Sequence, residues 1–170
     1  TRWYVMTTVG ILTISTRGAA GARADTSGDA IRELVTAPPL AATVQQYAIV
    51  ADERAAIEAT LRHWADDVRL NLILTTGGTG LSPTDVTPEA TLAIVDRLVP
   101  GLAEAMRAES LRYTPFAMLS RAAAGCRGTT LIVNLPGSPK GVRECLGAIL
   151  PALPHAVEIL TAQFTEHEPR

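Results

Sequence analysis

Residues 70–89 read LNLILTTGGTGLSPTDVTPE, and this stretch determines which fold is expected. It begins with a short aliphatic run, Leu70 to Thr75, which is typical of a central strand. The glycine-rich loop Gly77–Gly80 follows directly, and Thr87–Glu89 then carries the signals of a helix start. A buried strand that passes through a glycine-rich loop into a helix is the repeating unit of an α/β fold.

The same alternation of strands and helices continues in both directions along the chain. Three further runs are predicted strands: Val5–Ser15, Thr43–Val50 and Thr129–Leu135. Helices are predicted at Ala30–Val35, at Glu53–Trp64, from Thr87 onward, at Gly101–Leu111, at Pro115–Ala124 and at Val142–Leu160, the last broken by Pro151 and Pro154. This order predicts a three-layer α/β/α sandwich with a mostly parallel central sheet, built as one domain over residues 1–170. In such sheets, ligands bind beyond the carboxyl ends of the strands.

Composition and charge exclude several classes of partner. The 170 residues carry a formal net charge of -2, and no long Lys/Arg block occurs, so neither nucleic acid nor an anionic membrane is an expected partner. The apolar run Trp3–Ser15 is shorter than a membrane span and lacks a cleavage signal. Cys126 and Cys145 are too few for a disulfide framework, which predicts two buried thiols in a reducing cytoplasm.

The loop Gly77–Gly80 is the first candidate binding element. Glycines allow backbone N–H groups to approach an anion, and the turn can form a concave nest of amides around a phosphate or carboxylate. An ordinary tight turn between strand and helix is the alternative. The loop matches neither a Walker motif nor a GxGxxG fingerprint, so the residues alone do not indicate P-loop or Rossmann chemistry.

Two aspartates, Asp52 and Asp85, follow the strands that lead to this region. A carboxylate beside a phosphate nest repels the anion unless a cation lies between them, so Asp85 next to the glycine loop implies Mg²⁺. Capping of the following helix is the alternative for Asp85, and Thr87 is at least as well placed for that role. For Asp52, metal binding and capping of the helix from Glu53 onward stay equally open.

Two more segments are candidates for anion or ring binding. Ser120 and Arg121 place a hydroxyl and a guanidinium in an apolar stretch, although an Arg that faces solvent is the common alternative. The turn Pro136–Lys140 follows the last predicted strand; its backbone can surround a flat base and Lys140 can reach a phosphate. The histidines are scattered, at His63, His155 and His167, so neither a metal triad nor a Ser/His/Asp arrangement can be assembled.

Three long motifs, in this order and spacing, resemble the molybdopterin adenylyltransferases of molybdenum cofactor biosynthesis. They are GGTG at 77–80 with DVTPEA at 85–90, TPFAMLSR at 114–121 with AAG at 123–125, and NLPGSP at 134–139. This MogA/MoaB-like family includes the bacterial enzymes and the G domain of the plant and animal fusion proteins. The resemblance spans nearly the whole chain and implies the reaction of molybdopterin with ATP to adenylyl-molybdopterin and pyrophosphate, with Mg²⁺ required.

The resemblance also implies roles for individual residues. Asp85 corresponds to the aspartate needed for metal and catalysis, and Asp52 to the acidic residue after the second strand. Mg²⁺ held by these two would offset the repulsion between two phosphate groups. The residues expected to bind substrate or nucleotide are Ser15, Ser27, Gly28, Gly77, Gly78, Thr79, Gly80, Ser120, Arg121, Pro136, Gly137, Ser138 and Lys140. A homotrimer is the usual assembly, and molybdate insertion belongs to a partner protein or domain.

One position departs from the family pattern and keeps two other functions open. The first loop usually reads Ser-Asp, whereas Thr16 follows Ser15 here, although Asp25–Gly28 keeps the Asp-x-Ser-Gly pattern. Loss of that carboxylate makes a catalytically weak molybdopterin-binding carrier or scaffold the main alternative. A molybdate-insertion domain is a third interpretation, but such proteins usually carry extra domains.

Overall fold

The computed structural model describes residues 6–161, within which six strands form one sheet. The strands are β1 (Thr8–Ile14), β2 (Thr43–Val50), β3 (Leu72–Thr76), β4 (Arg97–Leu98), β5 (Ala124–Arg127) and β6 (Thr130–Leu135). They lie in the order β2-β1-β3-β6-β5-β4. The first four strands in this order pair in parallel, and only β5 and β4 pair with their neighbours in antiparallel fashion. The prediction of a mostly parallel sheet is confirmed.

Helices cover both faces of the sheet. They are α1 (Thr16–Ala19), α2 (Thr26–Thr36), α3 (Arg54–Arg62), α4 (Thr87–Ile94), α5 (Pro100–Ser110), α6 (Pro139–Ile149) and α7 (Leu153–Leu160). Side chains of a strand alternate between faces, so Val9 and Ile11 join one apolar cluster while Leu12 and Ile14 join another. Residues of α2, α5, α6 and α7 complete the first cluster, and residues of α3 and α4 complete the second. The three-layer sandwich is thereby confirmed.

The prediction of one helix over Pro115–Ala124 is wrong. Pro115–Leu119 is a short 3-10 helix, and Ala124–Arg127 is strand β5. The alanine-rich sequence favours a helix locally, but β5 pairs with β6 across a turn at Gly128, whose φ is 55°. Tertiary pairing outweighs the intrinsic preference here. The two-residue strand β4 was not predicted at all.

Two helix boundaries also differ from the prediction. The helix predicted to end at Trp64 is α-helical only to Arg62 and continues as a π-helical turn, His63–Asp67. Pro154 does not break the C-terminal helix, because it lies in the first turn of α7, where a backbone N–H is not needed. Pro151 does interrupt the helix, within the 3-10 turn Leu150–Ala152.

The N-terminal prediction falls partly outside the described residues. The expected strand from Val5, the apolar run from Trp3 and the position of His167 include residues that the structure does not describe. Both cysteines are free and buried, as predicted. None of the helices within residues 6–161 combines the length and the apolar character that a membrane crossing requires.

Candidate functional site

The glycine-rich loop lies at the carboxyl end of β3 and is held in a fixed shape. Gly77 and Gly78 have φ values of 97° and 69°, a left-handed conformation that side chains disfavour. The hydroxyl of Thr87 donates to the Gly77 carbonyl oxygen (2.9 Å), and the Thr87 N–H donates to that of Gly78 (3.2 Å). Thr87 therefore stabilises the loop, whereas the residue that caps α4 is Val86 and uses no side-chain bond.

Three consecutive backbone N–H groups of this loop have no acceptor within residues 6–161. They belong to Gly78, Thr79 and Gly80, whereas the Gly77 N–H donates to the Leu135 carbonyl oxygen (3.2 Å). Backbone donors without a partner in a glycine-rich turn are the feature that binds anions in such loops. The arrangement therefore supports the anion-binding interpretation over that of an ordinary turn.

Asp52 borders the same loop from the end of β2. Its Oδ2 accepts hydrogen bonds from the Thr16 N–H (3.0 Å) and the Thr16 hydroxyl (2.9 Å). A Cβ atom added to Gly78 would lie 3.6 Å from Asp52 Oδ1. Asp52 does not cap α3, since the capping residue is Glu53 and no side-chain bond is made. Asp52 therefore does not have the helix-capping role that the sequence left open for it.

Asp85 borders the loop at Gly80. A Cβ atom added to Gly80 would lie 2.9 Å from Asp85 Oδ2, which also accepts a hydrogen bond from the Ser82 N–H (3.0 Å). Asp85 makes no cap for α4. The two predicted carboxylates therefore lie beside the same turn, Asp52 near Gly78 and Asp85 near Gly80, although they come from different strand ends.

The donor set of this region fits a magnesium ion. The Oδ1 atoms of Asp52 and Asp85 have no hydrogen-bond partner in the described part of the chain. Mg²⁺ is usually bound by one or two carboxylates, with phosphate oxygens and water as the other ligands. Across residues 6–161 no group of three or more His, Cys, Asp or Glu side chains could hold a metal ion. A magnesium ion here would therefore have Asp52 and Asp85 as its carboxylate ligands, with phosphate oxygens and water as the others.

Arg121 holds the far side of the loop. Its Nε donates to the Gly80 carbonyl oxygen (2.8 Å), its Nη2 donates to the Asp85 carbonyl oxygen (2.7 Å), and its guanidinium forms an ion pair with Glu89. The hydrogen bond from Arg121 holds the pKa of the Glu89 carboxyl below its usual range. Most of its donors are thus used within the protein, so its contact with substrate stays a prediction.

Two cavities open beside this loop. The first, of about 150 Å³, is lined by residues from the ends of β1 and β3, the start of α2 and the loop after β6, among them Ser15, Asp25, Ser27, Gly77 and Gly137. The second, of about 360 Å³, is mostly apolar and includes Thr79, Gly80, Ser120, Pro136, Ser138 and Lys140. A Cβ atom added to Gly137 would lie 3.4 Å from the Gly77 Cα, so the two loops touch. Gly77 and Gly137 line the first cavity, and other residues of the same two loops line the second.

The predicted binding residues therefore divide into three groups. The first cavity is lined by Ser15, Ser27, Gly77 and Gly137, and the second by Thr79, Gly80, Ser120, Pro136, Ser138 and Lys140. Gly28, Gly78 and Arg121 line neither. The Gly28 N–H donates to Asp25 Oδ1 (2.9 Å), and this bond caps the start of α2. The Ser27 hydroxyl donates to the Gly137 carbonyl oxygen (2.6 Å), and this bond joins the start of α2 to the loop after β6.

Sequence reasoning missed Asp25 as a member of the site. Its Oδ2 accepts hydrogen bonds from the Thr13 hydroxyl (2.7 Å) and the Tyr47 hydroxyl. Burial and the hydrogen bond to Asp25 raise the pKa of Tyr47. An Asp just before a helix is ordinarily explained as its N-cap, which Asp25 is, and only the pairing of β1 with β2 brings Tyr47 to it.

Arg107 was also missed, because nothing in the sequence of α5 singles it out. Its Nη1 donates to the Ala122 carbonyl oxygen (3.0 Å), and its side chain lines the second cavity together with Lys140. Arg107 and Lys140 carry positive charge and Glu144, in the same lining, carries negative charge, so the charged side chains sum to a net positive charge that favours a ligand with a negatively charged group.

Replacing Arg121 with lysine tests its role as a clamp of the loop. Lysine is a point charge that cannot reach the three acceptors at once, so Arg121→Lys is expected to lower the melting temperature by about 2–4 °C. Looser support of the loop is expected to lower kcat/KM about tenfold for the reaction that the sequence resemblance implies. Thermal denaturation and steady-state kinetics measure the two effects.

Arg127→Lys is the matched control for this clamp. Arg127 pairs with Asp66 through Nε and Nη2 (2.9 and 2.8 Å) and donates through Nη1 to the Ile94 carbonyl oxygen (2.7 Å). None of these bonds involves the glycine loop, whereas Arg121 donates to Gly80 and Asp85. We expect a similar fall in melting temperature without a loss of activity, and equal kinetic effects of the two variants would contradict the role of Arg121.

The chain matches a known family model over most of its length. Residues 10–155 match the family described as "Probable molybdopterin binding domain". Over 158 residues it is 44% identical to a molybdopterin adenylyltransferase of Helicobacter pylori strain J99, covering 93% of this chain and 90% of the relative. It is also 45% identical to the molybdenum cofactor synthesis protein cinnamon of Drosophila melanogaster, covering 90% of this chain but 25% of that longer protein.

Solved structures share the fold. The crystal structure of the molybdopterin biosynthesis enzyme MoaB from Thermus thermophilus superposes with a TM-score of 0.87 at 57% identity, covering 92% of this chain and 98% of that one. A molybdopterin biosynthesis Mog protein from Mycobacterium ulcerans gives a TM-score of 0.83 at 40% identity, covering 91% and 99%. The fold is thus shared with solved chains that match this one along nearly their full length.

Proposed function

The chain belongs to the family of molybdopterin-binding domains, and we propose that it transfers the adenylyl group of ATP to molybdopterin, releasing pyrophosphate. The observation that carries the proposal is the position of Asp52 beside Gly78 and of Asp85 beside Gly80, in a loop where the N–H groups of Gly78, Thr79 and Gly80 lack acceptors within residues 6–161. Relatives named for this activity cover 93% of the chain at 44% identity.

The reaction joins two anions without a covalent enzyme intermediate. A phosphate oxygen of molybdopterin attacks the α-phosphorus of ATP, a new P–O bond forms, and the bond to the bridging oxygen breaks as pyrophosphate leaves. Positioning and charge stabilisation do most of the work in such a transfer. The N–H groups of Gly78, Thr79 and Gly80 would donate to phosphate oxygens as negative charge is redistributed.

Asp52 and Asp85 would hold the Mg²⁺ that the reaction requires. Bound there, the ion would neutralise charge between the phosphate groups. Arg121 positions the Gly80 end of the loop, and Thr87 positions the Gly77 end. The protein thereby fixes the carboxylates and the amide donors relative to one another before substrate binds, which lowers the cost of reorganisation during the reaction.

The two cavities beside the glycine loop supply room for substrate. We propose that Pro136, Gly137 and Ser138 lie beside the adenylate and that Ser120 lies in the pterin and phosphate region, with Ser15, Ser27 and Lys140 as further contacts. The support is that each of these residues lines a cavity: the first is lined by Ser15, Ser27 and Gly137, and the second by Ser120, Pro136, Ser138 and Lys140. Gly28 and Arg121 stay proposed contacts of substrate or nucleotide, and their hydrogen bonds also hold the start of α2 and the glycine loop in shape.

The assembly, partner and location that we propose are a homotrimer, a molybdate-insertion protein and the cytoplasm. Exposed apolar side chains are often sites of association, and those of this chain include Leu98, Leu111, Tyr113, Phe116, Met118 and Leu119. We expect light scattering to give a mass three times the 18.0 kDa of the chain. A monomer at micromolar concentration would contradict the trimer and leave the proposed activity intact.

Pyrophosphate release from Mg-ATP in the presence of molybdopterin tests the activity. We expect release only when pterin, nucleotide and Mg²⁺ are all present, with one adenylyl-molybdopterin formed per pyrophosphate. The alternative is a catalytically weak carrier or scaffold, which one observation favours: Thr16 puts a hydroxyl beside Asp52 where the family pattern has a carboxylate. Tight pterin binding without release would support that alternative and contradict the proposed activity.

A further inference from the structure

Thr16 makes three hydrogen bonds with Asp52. Its backbone N–H and its hydroxyl both donate to Asp52 Oδ2, at 3.0 and 2.9 Å, and its Oγ1 accepts from the Asp52 N–H at 3.1 Å. The contact joins the loops after β1 and β2, 36 residues apart in sequence. The parallel pairing of these strands, which ends with Ile14 beside Val50, places the two loops side by side.

This arrangement leaves the two oxygens of Asp52 in different environments. Oδ2 is occupied by two donors from Thr16, whereas Oδ1 has no partner in the described part of the chain and is the oxygen near Gly78. Rotation of the carboxylate would break both bonds to Oδ2. The hydroxyl of Thr16 therefore restricts the side chain to an orientation in which one oxygen is left for the glycine loop.

We propose that Thr16 is a positioning residue that fixes the Asp52 carboxylate with one oxygen directed to the Gly78 side of the loop, where a divalent cation is to be held. The inference rests on the proposed function, since it takes Asp52 as a metal ligand. Hydrogen bonds from neighbouring groups orient the ligands of metal sites, and their loss typically weakens metal binding. A hydroxyl at residue 16 thus supports the metal site without ligating the metal.

A purely structural role is the competing explanation. The same three bonds fasten the short helix α1 to the end of β2, and their loss would lower stability whether or not a cation binds. The two roles differ in what they change. A fastener affects the melting temperature of the protein, whereas a positioning residue also affects the affinity of the site for the ion in the folded protein.

Binding of Mn²⁺ to the intact chain, measured by electron paramagnetic resonance without turnover, tests the proposal. Thr16→Val removes the hydroxyl and keeps the shape, and we expect it to raise the Kd for Mn²⁺ about tenfold. Thr16→Ser keeps the hydroxyl and is expected to bind Mn²⁺ within about twofold of the unaltered protein. In the pyrophosphate assay, Thr16→Val should raise the half-saturating Mg²⁺ concentration about tenfold while kcat at saturating Mg²⁺ changes less than about threefold.

Two further variants separate the possible failures. Thr36→Val is the matched control, since the Thr36 hydroxyl only donates to carbonyl oxygens of its own helix; its Kd for Mn²⁺ should not change. Asp52→Asn should weaken Mn²⁺ binding at least as much as Thr16→Val does. If Asp52→Asn weakens binding but Thr16→Val only lowers the melting temperature, Thr16 is a fastener and the inference alone is overturned. If neither variant weakens binding, the metal assignment of Asp52 fails as well.

Discussion

Asp85→Asn is expected to reduce pyrophosphate release by about 10²–10³-fold while leaving molybdopterin binding intact. The asparagine amide has nearly the same size and can still accept the hydrogen bond from the Ser82 N–H. The loop should therefore keep its shape. What the variant loses is one of the two negative charges that hold the divalent ion between phosphate groups. The pyrophosphate assay and a calorimetric titration with molybdopterin measure the two properties separately.

Asp67→Asn is the matched control for this charge. Asp67 is exposed, and its carboxylate pairs with His63 on the surface rather than with any residue of the glycine loop. The same chemical change there should leave release and pterin binding unaltered. Turnover by Asp85→Asn equal to that of the unaltered protein would refute the metal assignment, and loss of pterin binding would show that Asp85 shapes the loop instead.

The strands and the glycine loop could be predicted because their signals are local. The bounds of β2 follow from the alternation in Thr43–Val50, an edge strand whose exposed and partly buried side chains alternate as well. The start of α4 follows from a Pro in its first turn. β5 could not be predicted in the same way, because its neighbouring alanines favour a helix and only the partner strand β6 makes an extended segment stable.

The candidate site was predictable as a set of residues but not as a set of contacts. Parallel strands end at one edge of a sheet, so Asp52 and Asp85 could be expected near the glycine loop. Which group holds which oxygen depends on the register between β1 and β2, and a sequence does not specify that register to the nearest residue. The bonds of Thr16 to Asp52 and of Arg121 to Gly80 join residues 36 and 41 apart, and neither has a local signal.

Gly78→Ala is expected to have the largest effect on stability, lowering the free energy of unfolding by roughly 2–5 kcal/mol. The φ of 69° is costly for any residue with a Cβ atom, and that atom would overlap the hydroxyl of Thr87. Thr87 is fully buried and bonded to the Gly77 carbonyl oxygen, so it cannot move aside without breaking that bond. A fall in melting temperature of about 10 °C, measured by calorimetry, is the expected result.

Gly78→Ala also separates the effect of the loop's shape on activity from the effect of the two carboxylate charges beside it. Alanine at residue 78 removes neither carboxylate, so a loss of pyrophosphate release at a temperature where the protein is folded would come from the altered shape of the loop and the displacement of its N–H donors. Gly101→Ala is the control: it lies in the first turn of α5, a Cβ there would meet no atom within 4 Å, and a gain of about 0.5–1 kcal/mol is expected. A folded Gly78→Ala protein with full activity would mean that the amides of Gly78–Gly80 do not bind phosphate, because their geometry could not survive the change.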